Sequence, residues 1–160
     1  MHVIFVCDTN QTLSPIAESV LTELATQRIL EVTAGSAAVS GSRAGQPADP
    51  LAIKVAGLHE IDISKHVARK IAAEDFTNAD LVIAFDRALL RQLLTERPRG
   101  CRTEIRMFSS FLDSDGPSDV APPSGDDIAR YEKAYETIEI GVRGILNRVR
   151  AAKADANVGE

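Results

Sequence analysis

Two periods of apolar residues follow each other along this chain, and together they predict strands that alternate with helices. Continuous apolar runs at Val3–Cys7 and Leu81–Phe85 are typical of strands covered on both faces of a sheet. Shorter apolar stretches predict two more strands at Glu31–Ala34 and Thr103–Phe108. Strands that alternate with helices favour a parallel sheet, because each crossover must carry the chain back to the edge where the previous strand began.

Apolar residues at helical spacing fill the segments between the predicted strands. The predicted helices are Pro15–Leu30, Asp49–Leu58, Ser64–Ala72, Asp86–Glu96 and Asp127–Ala152. We therefore predict an α/β fold: a three-layer sandwich in which a four-stranded parallel sheet has helices on both faces. In this prediction residues 1–152 form a single domain, and the tail 153–160 is disordered because it has nothing to bury.

Cys7 stands at the end of the first predicted strand, before a loop that leads into a helix at Ser14-Pro15. If the second and third strands flank the first on opposite sides, this loop opens at the switch point where ligands bind in such sheets. The first N–H groups of the helix and its dipole stabilise a thiolate or a bound phosphate at such a place. The pattern thus predicts a phosphate-type loop with a functional site at Cys7; the alternative is a buried, inert cysteine.

Composition narrows the classes of partner. The 160 residues are 44% hydrophobic and 26% charged, which fits one soluble globular domain. A net charge of −5 gives no electrostatic reason to expect a nucleic acid, and no apolar run is long enough for a membrane span or a signal peptide. Cys7 and Cys101 have neither disulfide-framework nor metal-ligand spacing, so we expect a reducing cytoplasm, no metal and no cofactor.

The segment from Cys7 to Pro15 resembles the active-site loop of the low-molecular-weight protein tyrosine phosphatases. That loop consists of a cysteine, five residues, an arginine, a serine or threonine, and usually a proline. Cys7, Asn10, Ser14 and Pro15 match it. Further landmarks follow in family order at Thr33–Ser36, Gly45–Pro50, Gly57–Leu58, Ile61–His66 and Ala79–Ile83. The resemblance covers about residues 1–150 and implies the family's fold and ancestry.

The resemblance implies a role for each matching residue. Cys7 is implied to be the nucleophile that forms a phosphocysteine, and the hydroxyl of Ser14 to donate to its thiolate. Asn10 is implied to hold the loop in shape, since Asn tolerates the left-handed backbone that such a loop needs. Considered without the family, Asn10 is an ordinary turn residue and Ser14 is a helix cap. The implied anion-binding loop consists of Asp8, Thr9, Asn10, Gln11, Thr12 and Leu13.

Two departures from the family fall inside this loop. Leu13 stands where the family has its arginine, and an uncharged side chain can neither donate to phosphate nor stabilise a charged transition state. Asp8 directly follows Cys7, and a carboxylate so close disfavours both a thiolate and a bound phosphate dianion. Both departures weaken the binding of phosphate rather than the fold.

A third departure lies in the long loop Ser109–Asp127. Counting back without a gap from Tyr131 and Tyr135, Pro122 falls on the aspartate that acts as the general acid of the family. Proline has no proton to donate, so this step of the reaction loses its acid. Four acidic residues of the loop could take its place, although such residues are more often solvated or capping carboxylates. They are Asp115, Asp119, Asp126 and Asp127.

The two losses together favour a pseudophosphatase: a phosphatase-like protein with absent or severely impaired phosphotyrosine hydrolysis that acts as a binding or regulatory module. Its expected ligand is a weakly bound anion or a phosphoprotein, and the sequence names no partner. The alternative is an active or residual protein tyrosine phosphatase that works through a phosphocysteine at Cys7. Turnover of an aryl phosphate separates the two hypotheses.

Overall fold

One parallel sheet of four strands organises the molecule, whose computed structural model describes the backbone of residues 1–158 and the side chains of residues 1–155. The strands are β1 (His2–Cys7), β2 (Thr33–Ala38), β3 (Leu81–Ala84) and β4 (Glu104–Met107). All neighbours are parallel, and their order across the sheet is β2-β1-β3-β4. The chain therefore moves to one side of β1 first and to the other side later. The predicted switch point lies beside β1, at the end where Cys7 stands.

Helices cover both faces of this sheet, as predicted. They are α1 (Leu13–Gln27), α2 (Pro50–Leu58), α3 (Ala73–Asn78), α4 (Arg87–Glu96) and α5 (Ile128–Val158), with a 3₁₀ turn at Phe108–Phe111. Successive residues of a strand point to opposite faces, and all of Val3, Ile4, Phe5 and Val6 are at most 2% exposed. Complete burial of both faces of β1 defines the three-layer α/β sandwich.

Two aspartates begin helices where the sequence predicts them to begin. The Asp49 carboxylate accepts hydrogen bonds from the N–H groups of Leu51 (2.8 Å) and Ala52 (3.3 Å). The Asp86 carboxylate accepts one from Leu89 (2.8 Å) at the start of α4. Each carboxylate satisfies N–H groups that have no partner inside the helix and meets the positive end of the helix dipole. The predicted starts of α2 and α4 are therefore correct to within one residue.

The helix predicted over Ser64–Ala72 is wrong: Ser64 and Lys65 form a turn, and the rest of the segment is non-helical and pairs with Ala38 at the end of β2. Its backbone bonds to Ala38 from both sides: Ala38 N–H donates to Arg69 O, and Ile71 N–H donates to Ala38 O, each at 2.8 Å. A helix would have used these backbone groups internally. The sequence also places β2 too early, at Glu31–Ala34, because Gly35 suggests a stop. In the structure Gly35 lies inside β2, where a Cβ would come within 2.8 Å of the Ile4 side chain.

The final helix is longer than predicted. It continues past Ala152 to Val158, so residues 153–158 of the predicted disordered tail are helical. The Lys153 ammonium lies 3.2 Å from the Glu31 carboxylate, which ties this end of the helix to the segment before β2. Residues 159–160, the rest of the predicted tail, lie outside the described residues. Within the described chain, no helix combines the length and apolarity that a membrane span requires.

The end of α1 contains an unfavourable residue. Leu30 N–H donates to Ala25 O (2.9 Å) and Ile29 N–H donates to Thr26 O (3.1 Å), which is the Schellman arrangement. Ile29 occupies the left-handed position of this motif with φ 54°, where glycine is usual, and it is 92% exposed. A β-branched residue is strained in that conformation, and here it gains no burial in return.

We expect Ile29→Gly to raise the free energy of unfolding by about 1 kcal/mol, because it removes this strain without removing buried surface. Urea unfolding followed by circular dichroism measures the change. Leu94→Gly is the matched control, since Leu94 is also exposed but lies inside α4. There glycine should cost about 1 kcal/mol. Equal destabilisation by both substitutions would show that the left-handed position carries no strain.

Candidate functional site

A small cavity opens where β1 ends, at the switch point of the sheet. Its volume is about 110 Å³. Residues from three segments line it: the loop after β1, the start of α4, and the long loop before α5. They are Cys7, Asp8, Thr9, Thr12, Leu13, Phe85, Asp86, Leu89, Val120 and Pro122. The structure thus brings Pro122 of the long loop next to Cys7 and Leu13, which are remote from it in sequence.

The thiol of Cys7 lies in a polar setting within this cavity. Its Sγ is 2.9 Å from Ser14 Oγ, and it accepts a hydrogen bond from the N–H of Asn10 at 3.2 Å. Asn10 Nδ2 donates to the same Ser14 Oγ (2.9 Å), so the hydroxyl proton of Ser14 is free to point at the sulfur. The sulfur therefore lies within hydrogen-bond distance of two polar groups, the Ser14 hydroxyl and the Asn10 N–H. The structure thus gives Cys7 the contacts with Ser14 and Asn10 that the family resemblance implies for a nucleophile.

Asn10 holds the loop in shape through every polar group it has. Its backbone is left-handed, with φ 59°, and the residue is fully buried. Its Nδ2 also donates to Ser36 Oγ (2.9 Å), and its Oδ1 accepts from the N–H of Arg69 (3.0 Å). Its carbonyl oxygen lies 2.8 Å from His66 Nε2. The non-helical segment 64–72 thus supplies two of the contacts that fix the loop.

The backbone carbonyls of the loop point away from the cavity and are bonded elsewhere. Cys7 O accepts from Val39, Asp8 O from Ser40 and Gln11 O from Asp49, at 3.2, 3.1 and 2.9 Å. The N–H groups, by contrast, have no acceptor among the described residues, apart from that of Asn10. They belong to Asp8, Thr9, Gln11, Thr12 and Leu13. Outward carbonyls with unpaired N–H groups form a cradle for an anion or an acceptor atom.

The cap of α2 anchors this cradle from outside. Asp49 N–H holds Gln11 O, and the Asp49 carboxylate accepts a hydrogen bond from the Tyr131 hydroxyl of α5 at 3.0 Å. Burial raises the pKa of Tyr131, and the neighbouring Asp49 carboxylate raises it further. The side chain of Gln11 donates to Pro47 O (2.9 Å) and so lies away from the cavity.

Leu13 begins α1, lies beside Cys7 in the cavity wall, and is only 1% exposed. It packs with the apolar core rather than presenting any polar group. The residues that line the cavity include two carboxylates, Asp8 and Asp86, but no lysine or arginine. The cradle therefore carries a negative rim and lacks a fixed cation.

Pro122 lies in the cavity wall, while the four acidic residues considered as its substitutes do not. Asp119 pairs with Arg87 (3.6 Å), and Asp127 accepts from Ala129 N–H (3.0 Å) at the start of α5. Besides Asp8, the carboxylate that does reach the cavity is Asp86, which our sequence analysis missed as a candidate site residue. It lies two residues after the end of β3, the strand next to β1, so its position at the same end of the sheet was the available signal.

Both cysteines are free thiols. Cys101 lies at the opposite edge of the sheet, where its Sγ donates to Phe76 O at 2.8 Å. Among the described residues, no group of three or more His, Cys, Asp or Glu side chains is arranged to hold a metal ion.

The fold and the site together define a class: parallel α/β proteins with a free cysteine at the switch point of the sheet, beside a loop of unpaired backbone N–H groups. The family model for low molecular weight phosphotyrosine protein phosphatase matches residues 2–155, so the chain belongs to that family. The pig enzyme of this name is 31% identical over 152 residues, which cover 92% of this chain and 95% of that protein.

Solved structures agree with this assignment. A low molecular weight protein tyrosine phosphatase from T. tengcongensis has a TM-score of 0.83 at 30% identity, covering 92% of this chain and 99% of that one. A protein tyrosine phosphatase from Entamoeba histolytica has a TM-score of 0.88 at 22% identity, covering 96% and 99%. At that lower identity the likeness shows the fold alone.

Proposed function

We propose that this protein is a pseudophosphatase, in which the phosphatase fold and the anion cradle persist while phosphotyrosine hydrolysis is absent or severely impaired. One observation carries the proposal: the wall of the Cys7 cavity contains Leu13, Asp8 and Asp86 but no cationic side chain. Phosphoryl transfer develops charge on the equatorial oxygens, which a fixed cation must stabilise. By analogy with other phosphoryl-transfer enzymes, loss of an arginine contact costs roughly 10³–10⁵ in rate.

The missing general acid supports the same proposal. Pro122 lines the cavity at the position that the family resemblance gives to the proton donor. A ring without an O–H or N–H cannot protonate the leaving phenolate, and such a loss costs roughly 10²–10⁴ in rate. The two deficits affect different parts of one transition state.

The alternative, a residual phosphatase, has one observation in its favour. The contacts of Cys7 with Ser14 and Asn10 persist, and Asp86 places a carboxylate in the same cavity. Asp86 Oδ1, however, accepts the hydrogen bond that caps α4. A carboxylate engaged as a cap is poorly placed to donate a proton, so we favour the pseudophosphatase.

The proposed role is the binding of a weakly held anion or a phosphoprotein, with a regulatory outcome in place of turnover. Free thiols at Cys7 and Cys101 fit a reducing cytoplasm, which we propose as its location.

We expect phosphate and vanadate to bind no more tightly than about 1 mM, a level of about −4 kcal/mol. The bidentate donor is absent, and the carboxylates of Asp8 and Asp86 repel a dianion at the rim. Titration calorimetry measures both affinities. Asp8→Asn should tighten binding several-fold, and Asp113→Asn, the same charge change outside this cavity, should leave it unchanged. Micromolar vanadate binding by the unaltered chain would refute the pseudophosphatase proposal.

A further inference from the structure

The deep end of the Cys7 cavity contains a hydroxyl without a partner. Thr12 lines the cavity and is 9% exposed, and its side chain caps no N–H group of α1. It forms no hydrogen bond to the described residues, while every fully enclosed side-chain oxygen or nitrogen among them has a partner. The Thr12 hydroxyl is therefore reachable from the cavity. A hydroxyl with no partner in the protein keeps both its donor and its acceptor capacity for a ligand that enters the cavity.

The same end of the cavity is electropositive. The N–H groups of Thr12 and Leu13, at the start of α1, and those of Asp8 and Thr9 have no acceptor among the described residues. Unpaired N–H groups at a helix start attract a negative oxygen. Together with the Thr12 hydroxyl they form a donor cluster for one oxyanion.

The outer end of the Cys7 cavity, nearest to solvent, carries negative charge. Asp8 is exposed and Asp86 is half-buried, so both carboxylates stand nearer to solvent than Cys7, Thr12 and Leu13. The Asp8 carboxylate makes no hydrogen bond or ion pair within the described chain, and only one oxygen of Asp86 is used by the cap of α4. The remaining carboxylate oxygens at this rim are therefore available to bind a cation.

The space between these ends is small and mostly apolar. Phe85, Leu89 and Val120 form its sides, and its volume is about 110 Å³. At about 30 Å³ for each water, that is room for about four water molecules. The enclosed part of a ligand is therefore a single head group with a short aliphatic link.

We propose that the Cys7 cavity binds a small zwitterion: an oxyanion group held by the cradle and Thr12, joined through a two-carbon link to a cationic nitrogen that lies between Asp8 and Asp86. A simple dianion satisfies the deep end and is repelled at the rim, and a simple cation satisfies only the rim. A ligand that carries both charges interacts favourably with the N–H donors at one end and with the carboxylates at the other. The cavity should therefore bind a zwitterion in preference to a simple anion or a simple cation. This inference rests on the proposed function, since it takes the cavity to bind its ligand without hydrolysing it.

The test compares two probes that differ only in the ammonium group: 2-aminoethyl phosphate and ethyl phosphate. We expect calorimetry to show 2-aminoethyl phosphate binding at least about tenfold more tightly, because opposite charges near a protein surface attract appreciably. Equal affinities, or no binding of either probe, would overturn the inference.

Three variants locate the two halves of the site. The double change Asp8→Asn with Asp86→Asn should abolish the preference for the ammonium, while the amide oxygen introduced at the second position still caps α4. Thr12→Val should weaken the binding of both probes by the same factor, because it removes the hydroxyl at nearly constant side-chain volume. Asp113→Asn controls for net charge and should change neither affinity. A preference that survives in the double variant would place the ammonium elsewhere and contradict the inference.

The outcomes also separate this inference from the proposed function. If the unaltered chain binds both probes equally and hydrolyses neither, the zwitterion proposal fails and the pseudophosphatase stands. If it prefers 2-aminoethyl phosphate and hydrolyses it in a Cys7-dependent manner, the selectivity stands and the pseudophosphatase fails.

Discussion

Leu13→Arg combined with Pro122→Asp is expected to raise the hydrolysis of p-nitrophenyl phosphate by several orders of magnitude. Both positions line the Cys7 cavity, where the thiol keeps its contacts with Ser14 and Asn10. The arginine restores a cation for the equatorial oxygens, worth roughly 10³–10⁵. The aspartate restores a proton donor for the leaving group, worth roughly 10²–10⁴. Steady-state kcat/KM of the purified variant measures the gain.

The single variants are the first control. Groups that act on one transition state are non-additive, so either substitution alone should recover little. Adding Cys7→Ser to the double variant should abolish the activity, since the thiolate is the proposed nucleophile. A double variant that folds, binds phosphate and still does nothing would show that the cradle itself has changed. The resemblance to active phosphatases would then reflect ancestry only.

A second route to repair covers the case in which arginine disturbs the core. Leu13 is 1% exposed, so its replacement buries a charge beside the carboxylates of Asp8 and Asp86. Leu13→Ala with Pro122→Asp leaves a gap that guanidinium from solution can enter. Turnover that rises with guanidinium and saturates is expected. Circular dichroism of both variants separates loss of folding from loss of chemistry.

Gly144→Ala is expected to lower the free energy of unfolding by about 3 kcal/mol or more. In α5, a Cβ on Gly144 would lie closer than 3.0 Å to the backbone oxygen of Phe111. Backbone cannot rotate away as a side chain can, so α5 must move off the 3₁₀ turn Phe108–Phe111. For a chain of this size the melting temperature should fall by roughly 6–12 °C.

Gly57→Ala is the matched control for this prediction. Gly57 lies in α2 with helical backbone, and a Cβ there would meet no atom within 4 Å. Alanine should therefore stabilise the protein by about 0.5–1 kcal/mol, through its better helix propensity. Thermal unfolding of both variants, measured side by side, compares their melting temperatures with that of the unaltered chain. Equal effects of the two changes would mean that the contact between α5 and Phe111 is loose.

Elements with a local signal were predictable from sequence, and elements set by distant contacts were not. The apolar run of β1 and the capping aspartates of α2 and α4 are properties of a few adjacent residues. The segment Ser64–Ala72 is non-helical because Ala38 and Asn10, remote in sequence, bind its backbone. The extension of α5 to Val158 likewise lacked a local apolar pattern.

The candidate site shows the same division. The position of Cys7 at the switch point followed from strand order and was confirmed by the observed sheet. The contacts that fix the loop come from Ser36 and the Arg69 backbone, and spacing alone could not identify them. Asp86 was missed because its role as a helix cap accounted for it fully at the level of sequence, although it also reaches the cavity.

The turnover of p-nitrophenyl phosphate by the unaltered chain, measured beside Cys7→Ser, tests the central claim most directly. A pseudophosphatase predicts that the two proteins have the same rate within error, at least ~10³ below that of the double variant. Brisk turnover by the unaltered chain that disappears on Cys7→Ser would contradict the account. The cradle, Ser14 and Asp86 would then suffice for catalysis without the arginine.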